Sequence, residues 1–388
     1  MPLHVQPDYE GGSIVNLMAT LAAGLGASAP YAPLAELPVV EVREARNVVL
    51  LVVDGLGARW LARLAPDGAL RARQRAVLTS VFPSTTATAV TTFLTGLAPA
   101  QHGLTGWHMY FRELGAVAAI LPLTLRPGGQ SIATKGVAPE GLFGYAPFVA
   151  KIAASGFVVS PESIVNSPFN VRHSGAARRV GYRSLDGLLD ATAAIVRRGR
   201  ERQYVYAYYS EIDATAHKHG MASEAIAAEV AKLDAAFGRF LASIAGTDTL
   251  VLVTADHGFV DVAPGHQIEL ADHGALAETL VLPLCGEPRV AYCYVHPGRE
   301  AQFERYVATV FADAASLFRS QDLLAQGWFG PGVPHPRLHE RVGHYTLVMK
   351  DGYAIRDLLL DERRHDQIGV HGGATEDEML VPLVVAHV

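Results

Sequence analysis

Residues 47–55 of the chain read NVVLLVVDG. Seven residues that are almost all Val and Leu are typical of a strand buried on both faces of a parallel sheet. Asp54 stands at the carboxyl end of this strand, and Gly55 opens a turn into the Ala-, Leu- and Arg-rich segment 58–64, which we expect to be helical. The stretch therefore predicts a βα unit, and ligands of open α/β sheets bind at the edge where Asp54 lies.

Polar side chains also follow the other strand-like runs. Residues 77–82, 204–209 and 249–253 have the composition of strands, and the first of them leads into a helical segment that ends at Gly96. Because the carboxyl ends of parallel strands meet at one edge, we expect the polar residues after these runs to converge there, together with a His from a Gly-rich turn near the C-terminus. The candidates are Asp54, Thr85, Thr86, Asp213, His217, Asp256, His257 and His371.

These side chains are sufficient in number and kind to hold two divalent metal ions. Carboxylate and imidazole ligands without thiolate favour zinc, with manganese or iron as alternatives, over copper. Asp213 and His217 are four residues apart and converge on one helical turn, while Gly258 gives the chain freedom to turn after Asp256 and His257. Two adjacent metals can bind the attacking and the leaving oxygen of a displacement at phosphorus, so the set predicts phosphoryl-ester chemistry.

Each motif alone is a weak signal. The tetrapeptide at residues 271–274 repeats the one at 255–258, but no strand-like run precedes it, and we expect Asp272 and His273 to lie outside the metal site. A dinucleotide-binding motif starting at Gly55 is not favoured either, because Trp60 occupies the position of its last glycine.

The composition of the 388-residue chain limits the other classes of function. Its net charge of -6 gives no general attraction to a nucleic-acid polymer or an anionic membrane, and we expect neither as a partner. Two cysteines, Cys285 and Cys293, imply buried thiols rather than a disulfide framework. The first residues lack the pattern of a secretory signal, which favours a cytoplasmic protein. The oligomeric state stays open.

The order of the segments predicts an α/β fold with a mostly parallel central sheet and helices on both faces. We expect residues 1–261 and 346–388 to form this core. Residues 262–345 are Pro-rich and contain a strand at 291–295 and an amphipathic stretch at 300–318, and we expect them to form an inserted cap subdomain.

On these motifs the chain resembles the alkaline phosphatase superfamily and, within it, the type I phosphodiesterase/nucleotide pyrophosphatase family. The similarity extends from about residue 47 to the C-terminus apart from the insertion. It implies an alkaline-phosphatase-like fold and a metal-dependent hydrolase of small phosphodiesters or related phosphoryl esters. It also implies two ligand sets, which are Asp213, His217 and His371 for one metal, and Asp54, Thr86, Asp256 and His257 for the other.

The resemblance also identifies a catalytic nucleophile. In the family this residue lies ten positions before the Gly of a Thr-Gly pair, and Gly96 in this chain therefore points to Thr86, with adjacent Thr85 as the second candidate. The implied reaction is a double displacement: the Thr86 hydroxyl attacks phosphorus, and water hydrolyses the resulting phosphoryl-threonine. A metal and the helix N-terminus would both favour the threonine alkoxide.

One departure affects the expected substrate. Nucleotide pyrophosphatases carry an Asn a few residues after a His-Gly turn, and Trp107 stands at the corresponding position here. A phosphonate hydrolase, a phosphomonoesterase and a phosphomutase on the same framework therefore stay as alternatives. A non-catalytic binding protein stabilised by metals is the alternative of a different class.

Overall fold

A computed structural model of the chain describes residues 4–126, 128–137, 141–360, 362, 364 and 366–388. Strands and helices are numbered here in chain order. The strands are β1 (Asn47–Val53), β2 (Gln74–Thr79), β3 (His108–Phe111), β4 (Ala116–Ala119), β5 (Thr124–Arg126), β6 (Ser155–Pro161), β7 (Arg178–Tyr182), β8 (Gln203–Tyr209), β9 (Thr249–Thr254), β10 (Val260–Asp261), β11 (Gln267–Glu269), β12 (Cys285–Gly286), β13 (Val290–Cys293), β14 (Ala315–Arg319), β15 (Tyr345–Met349), β16 (Ala354–Arg356), β17 (Gly369–Val370) and β18 (Leu380–His387). The helices are α1 (Ile14–Gly24), α2 (Val39–Glu44), α3 (Ala58–Leu64), α4 (Thr86–Thr95), α5 (Pro99–His102), α6 (Pro168–Ser174), α7 (Leu185–Arg198), α8 (Glu211–His219), α9 (Glu224–Ser243), α10 (Gly274–Ala277), α11 (Glu300–Val310), α12 (Ser320–Ala325), α13 (Leu338–Arg341) and α14 (Glu376–Met379).

The central sheet has the strand order β2-β18-β9-β1-β8-β6-β7. Strand β18 is antiparallel to both of its neighbours, and every other pairing in the sheet is parallel. Every residue of β1, β8 and β9 is buried, so both faces of the sheet are covered. The prediction of a mostly parallel central sheet that starts from residues 47–53 is confirmed.

The helices around this sheet pack in two groups. Helices α1, α2, α4, α5 and α6 contact one another, and α7, α8, α9, α3 and α14 form the other set of contacts. Helix α9 illustrates why these helices pack against their neighbours. Its apolar side chains recur at helical spacing, so they form one face of the helix, and all of them are buried: Ile226, Val230, Leu233, Phe237 and Leu241. This apolar spacing in the sequence by itself predicts a helix over residues 224–244, and α9 ends one residue earlier.

A second seven-stranded sheet has the order β14-β15-β13-β12-β3-β4-β5. Strands β12–β14 lie within residues 262–345, whereas β3, β4 and β5 come from the stretch 108–126, and β3 pairs with β12 at His108 and Gly286. Strand β15 crosses the expected boundary at 345/346. The second sheet thus draws on more of the chain than the expected cap, and the division at 262–345 stays a prediction.

A buried ion pair joins this second sheet to the C-terminal part of the core. Arg289, between β12 and β13, contacts the Glu378 carboxylate at 3.0 Å, and both side chains are inaccessible to solvent. Glu378 also accepts a hydrogen bond from the Gly373 backbone N–H at 2.8 Å. The pair therefore fixes the turn that contains His371 relative to the strands of the second sheet.

Two predicted elements differ from the structure. The predicted strand 77–82 lies at Gln74–Thr79. This strand is at the edge of the sheet, and its first four residues alternate between partly buried and exposed positions, so it begins with polar residues that an apolar run does not include. The amphipathic stretch 300–318 is not one helix. Helix α11 ends at Val310, and residues 315–319 form β14, where hydrogen bonds to β15 override the helical pattern.

No helix in the described part of the chain is long and apolar enough to cross a membrane. The cytoplasmic location stays a prediction.

Candidate metal centre

The carboxyl edge of the central sheet brings the eight candidate side chains together. Strand β1 lies between β8 and β9, and the register pairs Val53 with Tyr209 and Val52 with Thr254, so the three strands end at the same level. Asp54 follows β1, the Asp256–His257 pair follows β9, and α8 begins directly after β8. Strand β17 pairs with β10 and carries His371 to the same edge.

One group of side chains surrounds the Thr86 hydroxyl. Thr86 Oγ1 lies 3.0 Å from His257 Nε2 and 3.4 Å from Asp54 Oδ1. His257 Nε2 in turn lies 3.2 Å from Asp54 Oδ1 and 3.6 Å from Asp256 Oδ2. Asp54, Asp256 and His257 thus present three potential ligand atoms within 4.8 Å of one another.

The second group lies beside the first. Asp213 Oδ1 is 3.4 Å from His217 Nε2 and 3.6 Å from His371 Nε2. The imidazole rings of His371 and His257 stack with their centroids 3.7 Å apart, which connects the two groups. The structure therefore places all seven predicted metal ligands in two adjacent clusters, each formed by residues far apart in sequence.

Backbone carbonyls fix the orientation of two of the imidazoles. Nδ1 of His217 lies 2.8 Å from the Gly369 carbonyl oxygen, and Nδ1 of His257 lies 3.0 Å from the Gly258 carbonyl oxygen. Because a carbonyl only accepts, both Nδ1 atoms must carry a proton, and the Nε2 atom of each ring is the one that faces the carboxylates. This is the arrangement in which proteins present histidine to a metal.

Without a cation the carboxylates are in an unfavourable environment. Burial and then the neighbouring Asp213 raise the pKa of Asp54 well above its usual value. Burial and then Asp54 raise the pKa of Asp256 in the same way. Burial, reinforced by His257 and His217, lowers the pKa of His371, so its ring is neutral as metal binding requires.

The two clusters meet the chemical requirements of divalent cations. Asp213 Oδ1 and Asp256 Oδ2 are buried and have no hydrogen-bond partner among the described residues, although such oxygens cost free energy when they are left unsatisfied. Asp213 Oδ1 lies within 3.6 Å of Nε2 of both His217 and His371, and Asp256 Oδ2 lies 3.6 Å from Nε2 of His257. A bound cation would satisfy both, and the oxygen and nitrogen donors suit zinc, manganese or iron.

Tyr208 is a site residue that we did not predict. Its hydroxyl donates a hydrogen bond to Asp54 Oδ2. Burial and then the charge of Asp54 raise the pKa of Tyr208, so the hydroxyl stays protonated and remains a donor. The sequence does place Tyr208 in the strand-like run 204–209. It lies one residue before the end of that strand, and therefore at the same sheet edge as Asp54.

We expect Tyr208→Phe to lower metal affinity about 10-fold, because a residue that orients a metal ligand typically contributes this much. Titration of the metal-free protein with zinc would measure the change. Tyr204→Phe is the matched control, since Tyr204 lies on the same face of β8, is also buried, and has a hydroxyl without a hydrogen-bond partner in the described structure. Equal effects of the two substitutions would contradict a role of Tyr208 in orienting Asp54.

Glu287 is the second residue that we did not predict. Its Oε1 accepts hydrogen bonds from Thr85 Oγ1 at 2.7 Å and from the Trp107 backbone N–H at 2.6 Å. Burial raises the pKa of Glu287 to about 7, against the opposing effect of these hydrogen bonds. A lone Glu in a Gly-Glu-Pro turn has no pattern that would have marked it in the sequence.

The repeated Asp-His motif lies outside both clusters. Asp272 is in a 3₁₀ turn, and His273 Nδ1 lies 2.8 Å from the Tyr306 hydroxyl instead of facing carboxylates. Its neighbourhood gives no reason to assign it to the site.

A family model described as "Type I phosphodiesterase / nucleotide pyrophosphatase" matches residues 48–374. The chain belongs to this family. As a member it is a metal-dependent phosphoryl hydrolase, and the predictions of the family and of an enzyme are confirmed. Among curated protein sequences, none matches the chain.

Solved structures of similar fold support the architecture of this phosphodiesterase-family protein. Murine ectonucleotide pyrophosphatase/phosphodiesterase 5 matches with a TM-score of 0.64 and 17% identity, over 87% of each chain. Phosphonoacetate hydrolase from Sinorhizobium meliloti 1021 matches with a TM-score of 0.60 and 17% identity, over 88% of this chain and 90% of that one. The alkaline-phosphatase-like fold is thereby confirmed.

Proposed function

We propose that the protein hydrolyses small phosphodiesters or pyrophosphate-type phosphoryl esters, with Thr86 as nucleophile and two divalent metal ions, preferably zinc, as cofactors. Asp54, Thr86, Asp256 and His257 would hold one ion, and Asp213, His217 and His371 the other. The observation that carries this proposal is the position of the Thr86 hydroxyl, within 3.4 Å of both Asp54 and His257.

The geometry also supports Thr86 over Thr85 as the nucleophile. Thr85 is the N-cap residue of α4, but its hydroxyl donates to Glu287 and does not face the two ligand clusters. Thr86 is the first residue of α4, where the positive end of the helix dipole favours an oxyanion. The hydroxyl that faces the carboxylates and imidazoles is therefore the one at position 86.

The reaction we infer has two displacements. Bound divalent cations would supply positive charge at the attacking and leaving oxygens and favour loss of the Thr86 proton. Thr86 Oγ1 then forms a bond to phosphorus while the bond to the leaving alcohol or phosphate breaks. Water next attacks the phosphoryl-threonine, releases the phosphorylated product, and returns the proton to Thr86.

The structural neighbours share too little sequence identity with this chain to show more than its fold. Their bound ligands serve only to choose substrates for testing. One structure of the murine protein, an inactive variant, is in complex with AMP, and the bacterial hydrolase is in complex with phosphonoacetate. Trp107 lines the cavity at the centre and is partly exposed, so this wall differs from the Asn expected of nucleotide pyrophosphatases. Phosphonate hydrolysis on the same framework is therefore the rival activity.

A substrate panel tests the proposal. We expect the zinc- or manganese-loaded protein to hydrolyse bis-(p-nitrophenyl) phosphate with a higher kcat/KM than p-nitrophenyl phosphate, and to release no phosphate from phosphonoacetate. Preference for the monoester or for phosphonoacetate would replace the proposed activity with the corresponding alternative. A non-catalytic binding protein does not agree with membership of a hydrolase family.

A further inference from the structure

The cavity that opens from the metal centre has a volume of about 590 Å³ and reaches the second sheet. Two arginines line it, and both are paired with carboxylates. Arg126 Nε lies 2.7 Å from Glu362 Oε1, and Arg356 contacts Glu269 as well as Asp366 Oδ1 at 3.3 Å. These arginines therefore offer little net positive charge to an anionic substrate.

The nearest other basic group in the cavity is also neutral. Burial, and then the adjacent Arg126, lowers the pKa of His108 to about 3. Beyond the metal-ligand histidines, no described residue of the cavity wall contributes an uncompensated cation. Any excess negative charge on the substrate must therefore be balanced by the metals alone.

Glu287 adds a negative charge to the wall of the cavity in which the metals must balance the charge of the substrate. It lines the cavity together with Thr86 and His371, and its carboxylate is hydrogen-bonded to Thr85, the neighbour of the proposed nucleophile. A Cβ atom on Gly372, next to His371, would lie only 2.7 Å from the Glu287 Cβ, so the side chain contacts the turn that carries His371. No described residue forms an ion pair with Glu287.

The hydrogen bonds hold Glu287 in this position. Both bonds end on Oε1, one from a side chain of the core and one from the backbone of Trp107, and the residue is largely buried. A carboxylate held in this way cannot swing away when an anion enters. A fixed negative charge in the cavity wall repels further negative charge on a bound anion, and this repulsion is stronger in a partly buried site than in bulk water.

We propose that Glu287 is a specificity-determining residue that favours monoanionic phosphodiesters over dianionic phosphomonoesters. Two divalent cations balance the charges of Asp54, Asp213, Asp256 and an ionised Thr86. A diester adds one further negative charge, whereas a monoester or inorganic phosphate adds two next to Glu287. This inference rests on the proposed function, since it assigns the substrate class of the same site.

The test compares the zinc-loaded wild type with Glu287→Gln, which keeps the shape and a hydrogen-bond acceptor but removes the charge. Calorimetric titration with inorganic phosphate at about pH 8.5, where phosphate is mainly a dianion and Glu287 is ionised, requires no turnover. We expect Glu287→Gln to bind phosphate at least about tenfold more tightly. The ratio of kcat/KM for p-nitrophenyl phosphate over bis-(p-nitrophenyl) phosphate should rise by a similar factor.

Glu162→Gln is the matched control, because it removes one negative charge from an exposed carboxylate that pairs with Arg183 on the surface. It should leave phosphate affinity unchanged. Unchanged phosphate affinity in Glu287→Gln, an equal gain on both substrates, or a loss of zinc measured by elemental analysis would each overturn the inference. A wild type that binds zinc but cleaves no diester would instead contradict the proposed function. The phosphate titration would still show whether the charge of Glu287 weakens the binding of a dianion.

Discussion

Replacement of Thr86 by Val should lower kcat/KM for a phosphodiester by about 1,000-fold or more while both metal ions stay bound. Val keeps the shape and burial of the side chain at the start of α4 but removes the oxygen that must attack phosphorus. Loss of a nucleophile typically has an effect of this size or larger. Elemental analysis and single-turnover kinetics of the purified variant would separate lost chemistry from lost metal.

Two further variants make this prediction specific. Thr85→Val is the matched control, since Thr85 has the same side chain one residue earlier but donates its hydrogen bond to Glu287. We expect it to keep kcat/KM within about tenfold of the wild type. Thr86→Ser restores a hydroxyl and should recover part of the activity. If Thr86→Val turns over with its metals bound, or if Thr85→Val is the inactive variant, the nucleophile is misassigned.

The sequence predicts the central sheet well because its strands are buried on both faces. Such strands read as continuous apolar runs, and the residue that follows each run lies at the ligand-binding edge. The apolar runs therefore place Asp54 directly at this edge, and Asp213 and Asp256 within four residues of it. They misplace β2, which is half exposed, and they miss β14, whose strand conformation depends on its partner β15 rather than on its own pattern.

The candidate site was predictable only where ligand chemistry leaves a pattern. Asp and His residues after buried runs are conspicuous, whereas Tyr208 was hidden in an apolar strand and Glu287 in a loop distant in sequence. Glu287 reaches the site because β12 pairs with β3, and the sequence contains no local sign of that pairing. Residues that reach a site from a different sheet can therefore be identified only from the three-dimensional structure.

Chelation of the metals should abolish activity and make stability depend on pH. Without cations, the folded state raises the pKa of Asp54 and Asp256, so between their unfolded values and the raised values it binds more protons than the unfolded chain. Stability then falls as the pH rises, by about 1.4 kcal/mol per pH unit for each extra proton bound. The lowered pKa of His371 acts in the opposite direction only below its unfolded value of about 6.5, so a measurement above that pH is free of this effect.

Thermal unfolding of chelated and zinc-reloaded protein between about pH 6.5 and 9 would measure this dependence. Zinc should raise the unfolding temperature, since a site filled at about 1,000 times its Kd gains roughly 4 kcal/mol, and the gain should grow with pH as the carboxylates ionise. Asp256→Asn removes one of the titrating groups, so the chelated variant should lose stability less steeply than the chelated wild type. Two results would contradict this account of Asp54 and Asp256. One is a chelated wild type that becomes more stable as the pH rises above about 6.5, and the other is a chelated Asp256→Asn variant whose stability changes with pH as steeply as that of the wild type.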